Sequence, residues 1–180
     1  MRIYAEDTAA LIIDFQEKLV PAIANNEEVV AKAALFCAGL KELGVPMAIT
    51  QQYTKGLGDT VAPIKEVVGE FEAMEKMSFS AMGCEEFVAW VKAQGKKTIL
   101  VCGVEAHICV LQSVIDLQAE GYQVYLVEDC IASRKPSDKE TGIKRAMGEG
   151  ALMTSAEAIL FELTYISGTP VFKQISKLVK

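Results

Sequence analysis

Histidine is nearly missing from this 180-residue chain; His107 stands alone. A zinc cluster or a multi-histidine metal centre therefore has no ligand set to draw on. The five cysteines, Cys37, Cys84, Cys102, Cys109 and Cys130, are widely spaced and form no C-x-x-C pair. Reduced thiols in a cytoplasmic compartment are the simplest reading of that pattern. Basic charge is also short, with 18 Lys and Arg against 24 Asp and Glu, a net charge of −6 and no basic stripe. Nucleic acid is thus not an expected partner. No apolar run approaches the length of a membrane span, and the segment from Met1 to Asp7 lacks a signal-peptide core, so no membrane association is expected. Gly56 and Gly58 are not followed by Lys-Ser at P-loop spacing, and Gly103 belongs to no G-x-G-x-x-G, so neither a phosphate loop nor a dinucleotide site is supported.

What the chain does have is a supply of short apolar runs: 51% of its residues are hydrophobic. Ala9–Ile13, Val45–Thr50, Thr98–Cys102, Gln123–Val127 and Ala151–Met153 read as strands without polar alternation. Between and after them, Val29–Leu43, Met82–Ala93, the segment opened by Cys109 and closed at Gly121, Ser137–Met147, Glu157–Tyr165 and Val171–Val179 carry helical spacing. Apolar strands separated by helices imply a mostly parallel sheet covered on both faces. The expected fold is an α/β, Rossmann-like three-layer α/β/α sandwich of about six strands, with residues 1–180 as one domain. Gln51–Glu72 is the longest stretch without clear periodicity, and loops of that length are often functional.

Cys109 is the strongest candidate for chemistry. It lies six residues after Gly103 ends a strand, where a helix begins. Free amides and the helix dipole at such a point favour a thiolate, and ligand crevices in open α/β sheets lie at the same strand ends. A cysteine nucleophile needs a base and a positive neighbour. His107 is a poor base, because residues two apart at a helix start do not face one another. Asp14, at the end of the first apolar strand, and Lys76, in Met74-Glu-Lys-Met-Ser-Phe-Ser80, are the remaining candidates. Their ordinary roles, a turn carboxylate and a solvated lysine, stand beside this reading, as does a core role for the other cysteines.

Three segments taken together resemble the isochorismatase-like cysteine hydrolase family: Ile13-Asp-Phe-Gln16, Glu75-Lys-Met-Ser-Phe-Ser80 and Gly103-Val-Glu-Ala-His-Ile-Cys-Val110. The chain is most similar to the branch of isochorismatase domain-containing proteins, through Thr50-Gln-Gln-Tyr-Thr-Lys-Gly-Leu-Gly58 and Phe172-Lys-Gln-Ile-Ser-Lys-Leu178. The resemblance implies Cys109 as nucleophile, Asp14 as proton acceptor and Lys76 as the cation that lowers the thiol pKa. It also implies a cis peptide between Val104 and Glu105, which aims the amide of Glu105 or Ala106 with that of Cys109 into an oxyanion hole. Nicotinamidases of this family bind a metal through Asp and His after the second strand; here the region reads Gln51-Gln-Tyr-Thr54, so no metal and no cofactor are expected. Isochorismatases proper hydrolyse a vinyl ether and need no cysteine. The cysteine here points to acyl transfer on a small amide or related substrate, with Phe15, Gln16, Tyr53 and Phe79 as candidate pocket walls. The alternative is a catalytically silent homologue acting as a binding or scaffold protein. Finally, residues 156–179 are apolar on more than one helix face, which implies a homo-oligomer, a dimer or larger.

Overall fold

The computed structural model describes residues 2–180. Its centre is a six-stranded sheet: β1 (Thr8–Ile13), β2 (Met47–Gln52), β3 (Met74–Lys76), β4 (Thr98–Val104), β5 (Gln123–Ala132) and β6 (Leu152–Thr154). The strand order is β3-β2-β1-β4-β5-β6, and every pairing is parallel. β1 and β4 are buried along their whole length, as strands sandwiched between two helical layers must be. The helices are α1 (Asn26–Glu42), α2 (Thr54–Leu57), α3 (Ala62–Val68), α4 (Glu85–Gln94), α5 (Leu111–Ala119), α6 (Pro136–Gly148), α7 (Ala156–Thr164) and α8 (Pro170–Leu178). α1 packs with α3, α7 and α8, while α5 packs with α6.

The chain runs outward from β1 to β3, crosses back to β4 and runs outward again to β6. The direction therefore switches between β1 and β4, the point beyond whose carboxyl ends such sheets form their ligand crevices. Asp14 follows β1 directly, and β4 leads into the turn that carries Cys109. The two strands approach closely at their ends. Gly103 pairs with Ile13 at φ 140°, and a Cβ there would run into the Ile13 carbonyl oxygen and side chain. Neither the backbone angle nor the space suits a larger residue. Gly103→Ala is expected to lose more than about 3 kcal/mol of stability, read by urea unfolding. A loss under about 1 kcal/mol would show that the two strands can part.

Several elements differ from the sequence reading for identifiable reasons. The stretch Gln51–Glu72 holds the end of β2 and two short helices, α2 and α3, too brief to build a helical period. Lys76 lies on a strand, β3, whose three residues are too few for alternation to register. The helix expected from Met82 begins as a 3-10 turn, Ala81–Gly83, before α4. β5 continues to Ala132 past a bulge: Val101 pairs with Leu126 but Gly103 with Ile131, and Glu128 projects outward from the interruption.

The apolar tail is accommodated largely on the chain itself. Ile159, Leu160 and Ile175 are fully enclosed, and α7 approaches α1 so closely that a Cβ on Gly39 would strike the Leu160 side chain. What stays exposed is a smaller patch, Tyr165, Ile166 and Val171, beside Tyr4 and under the Arg2 guanidinium 4.7 Å from the Tyr165 ring.

Candidate active site

Asp14 sits just beyond β1 in a left-handed conformation, φ 55°, which turns the chain out of the sheet. Its carboxylate is wholly enclosed. Oδ1 accepts a hydrogen bond from the Thr50 hydroxyl at 2.8 Å, and Oδ2 pairs with the Lys76 ammonium at 2.7 Å. Neither side chain of that pair has any exposure. A buried ion pair persists only when its remaining protons and lone pairs are satisfied. Lys76 Nζ accordingly donates to Gln52 Oε1 at 2.7 Å and to the Phe79 carbonyl at 3.0 Å, with the Ser78 carbonyl at 3.4 Å. Thr50 and Gln52 are two apart on β2 and so project from the same side of the strand, which is why both reach this cluster.

Cys109 completes the cluster. The residue is 6% exposed, and its thiol feels both the Asp14 carboxylate and the Lys76 ammonium. It belongs to a π-helical turn, Ala106–Val110, that leads into α5, so it stands inside the first turn rather than at the helix start. The three candidate residues from three strand ends are thus brought together in one enclosed site.

The charge state at rest differs from the sequence expectation. Burial, helped by the Asp14 carboxylate and opposed by Lys76, pushes the Cys109 thiol up to about 12. Desolvation of the charged form outweighs the ammonium and the helix dipole. At neutral pH the resting site therefore holds a neutral thiol beside an ion pair, not a thiolate.

The turn that carries Cys109 is fastened on several sides. The Val104–Glu105 peptide is cis. The Glu105 carboxylate accepts the Arg134 backbone amide at 2.8 Å and its Nε at 3.1 Å. His107 Nδ1 lies 2.9 Å from the Ser133 hydroxyl, facing away from the triad. α6 meets the turn at Gly142, where a Cβ would press on the Ala106 and His107 backbone at 2.9 Å.

The four candidate pocket residues divide. Phe15 is in the core, 1% exposed. Gln16 is fully enclosed, and its amide is spent on backbone: it donates to the Gln52 and Gly58 carbonyls and accepts from the Gln52 amide. These two side chains brace the ends of β1 and β2. Tyr53 and Phe79 are 45% and 52% exposed and both meet Lys76 through backbone hydrogen bonds, the Tyr53 amide to the Lys76 carbonyl and the Lys76 ammonium to the Phe79 carbonyl. Sequence reasoning missed Thr50 and Gln52; Thr50 closes the strand read from the sequence, and two more residues would have put Gln52 on the same side. A cleft of about 370 Å³ lies nearby, lined by Asn25, Glu28, Glu128, Asp129, Ser133 and Lys139 among others, but by no member of the triad. Among the described residues no group of three or more His, Cys, Asp or Glu is placed to hold a metal ion. None of the helices among those residues is long and apolar enough to cross a membrane.

A thiol, carboxylate and ammonium are enclosed at the switch point of an all-parallel sheet in a three-layer α/β/α protein. Comparison supplies the family. The Isochorismatase domain matches residues 8–158, and this chain belongs to that family. It is 31% identical over 173 residues to isochorismatase domain-containing protein 1 of Salmo salar, covering 96% of this chain and 61% of that protein. The chain thus spans less than two thirds of that relative. The structure described as MAR1 ribonuclease of Caenorhabditis elegans superposes with a TM-score of 0.93 at 32% identity, covering 99% of this chain and 92% of that one. The octameric YcaC hydrolase of unknown specificity from Escherichia coli superposes at 0.87 with 22% identity, covering 92% and 83%, a likeness of fold alone. Family membership supports a hydrolase-type function.

Proposed function

We propose that this protein is a cysteine hydrolase acting on a small amide or a related acyl substrate through a thioester. The observation that carries this reading is the enclosed 2.7 Å Lys76–Asp14 pair with the Cys109 thiol, which feels both groups. Because the resting thiol is neutral, its proton passes to Asp14 as sulfur attacks the acyl carbon. The negative charge then moves to the acyl oxygen, where the amides of Ala106 and Cys109 are the proposed oxyanion donors, with Glu105 as the alternative to Ala106. Collapse breaks the C–N bond, and the amine leaves with the proton held by Asp14. Water next gives a proton to Asp14 and attacks the thioester. The C–S bond breaks and the thiol recovers its proton. Lys76 keeps Asp14 oriented and offsets the charge on sulfur. Tyr53 and Phe79 are the proposed pocket walls, carried on Phe15 and Gln16.

The test is a panel of small amides assayed for ammonia or amine release, with Cys109→Ala as control. Turnover that vanishes in the variant is expected; turnover retained by Cys109→Ala overturns the reading. A nucleic-acid substrate, which the Caenorhabditis description raises, is disfavoured by the net charge of −6. A silent homologue has no observation in its favour, since all three reactive groups are present and enclosed together. Neither a metal nor another cofactor enters the proposed steps, and chelators are expected to leave activity unchanged.

The proposed setting is the cytoplasm, and the proposed assembly is a homo-oligomer. The exposed patch of Tyr165, Ile166 and Val171 is what remains of the apolar surplus to drive it. Light scattering at micromolar concentration is expected to give a multiple of the 19.5 kDa chain mass. A clean monomer would mean that α7 and α8 serve only their own core.

A further inference from the structure

We propose that Ser113 is a positioning residue that fixes the distance between the nucleophile and Lys76. Serine inside a helix is unfavourable unless its hydroxyl finds a partner. Ser113, on α5, is fully buried, and its hydroxyl has two partners. It donates to the Cys109 carbonyl at 2.7 Å and accepts the Ala81 amide at 2.9 Å. One oxygen therefore joins the backbone of the nucleophile to the segment that follows Lys76.

That segment also holds the ammonium. Lys76 Nζ donates to the Phe79 carbonyl at 3.0 Å, with Ser78 at 3.4 Å. The loop is braced internally: the Ser78 hydroxyl donates to the Ser80 carbonyl at 2.8 Å, and the Met82 amide to the Ser80 hydroxyl at 3.2 Å. Through these bonds, whatever anchors Ala81 also helps to place the carbonyls that grip Nζ. A continuous path runs from Nζ through the Phe79 carbonyl, the loop, the Ala81 amide and the Ser113 hydroxyl to the carbonyl of Cys109. Asp14 reaches Lys76 from the other side, on β1. Among the described residues, the Ser113 hydroxyl forms the polar link between the Cys109 turn and the Lys76 loop.

The inference rests on Cys109 being the reactive nucleophile, and its test does not need the natural substrate. The probe is acrylamide, and the readout is its rate of addition to Cys109 at pH 7.5, followed by peptide mass. Ser113→Ala is expected to react about tenfold more slowly, the scale of a sub-ångström misplacement. Val114→Ala, a cavity variant on the same helix, controls for lost stability and is expected within about twofold of wild type. Ser113→Thr keeps the hydroxyl, and Ser113→Val has the same shape without it, so this pair reads the bridge even where Ser113→Ala fails to fold. Threonine is expected to react about tenfold faster than valine. Equal rates in that pair, or a Val114→Ala rate as low as that of Ser113→Ala, would overturn the proposal. If wild-type Cys109 does not react with acrylamide in preference to Cys84, the hydrolase reading itself has failed, which is a different result.

Discussion

Lys76→Met is expected to cost about 3–5 kcal/mol of stability, the range for stripping one partner from a buried ion pair. Asp14 would keep the Thr50 hydroxyl but lose its only cation, and with no side-chain exposure it has no water to replace it. Three further acceptors, Gln52 Oε1 and the Ser78 and Phe79 carbonyls, would lose their donor as well. Asp14→Asn is expected to be costly for the opposite reason, leaving an ammonium enclosed without a counter-charge. The double variant, Asp14→Asn with Lys76→Met, removes both charges and is expected to be more stable than either single variant. Urea unfolding of the four proteins closes the cycle. Additive losses would mean that the two charges do not depend on one another, and that the site is wetter than its enclosure implies.

Stability is expected to fall steeply as pH rises above 9. Burial raises the thiols of Cys37 and Cys109 to about 12 and pushes Cys102 and Cys130 up as well. A thiol whose folded pKa is raised stays protonated in the fold while the unfolded chain ionises. Its contribution is therefore fully present below the unfolded value near 9 and is lost as pH rises from there toward 12. Each such thiol contributes a slope of about 1.4 kcal/mol per pH unit, so the four together give a steep decline of about 5 kcal/mol per unit. Urea midpoints at pH 8, 9 and 10 under reducing conditions measure it. Cys37→Ala should lower the slope by one proton. A midpoint unchanged to pH 10 would show that the thiols ionise in place and that the core admits water.

The architecture was legible because buried parallel strands announce themselves as unbroken apolar runs. Ala9–Ile13 and Thr98–Cys102 were found within a residue or two at each end. β3 escaped notice because three residues carry no period, and so Lys76 was recognised by motif rather than by the strand that places it. The candidate site was legible only by combining Asp14, Lys76 and Cys109, since each alone has an ordinary role. Its surroundings were not. Thr50, Gln52 and Ser113 act through hydrogen bonds that cross 36, 24 and 32 positions of sequence, and no local pattern encodes such distances. The protonation state of Cys109 was also beyond reach. The helix start argued for a thiolate, but the extent of burial that reverses the argument exists only in the folded site.

The central claim is that Asp14 takes the Cys109 proton inside the site, and the pH dependence of acrylamide addition to Cys109 tests it most directly. Selectivity over the other cysteines is a weaker test, because Cys37, Cys102 and Cys130 are fully buried and only Cys84 competes. In wild type the proton moves to Asp14 rather than to solvent, so the rate should be nearly flat from about pH 6 to 9. In Asp14→Asn the thiol must ionise to solvent first. Losing the Asp14 carboxylate lowers the thiol pKa from its wild-type position, and below that pKa the variant's rate should climb about tenfold per pH unit. A wild-type rate that climbs tenfold per unit in step with Asp14→Asn would contradict the account.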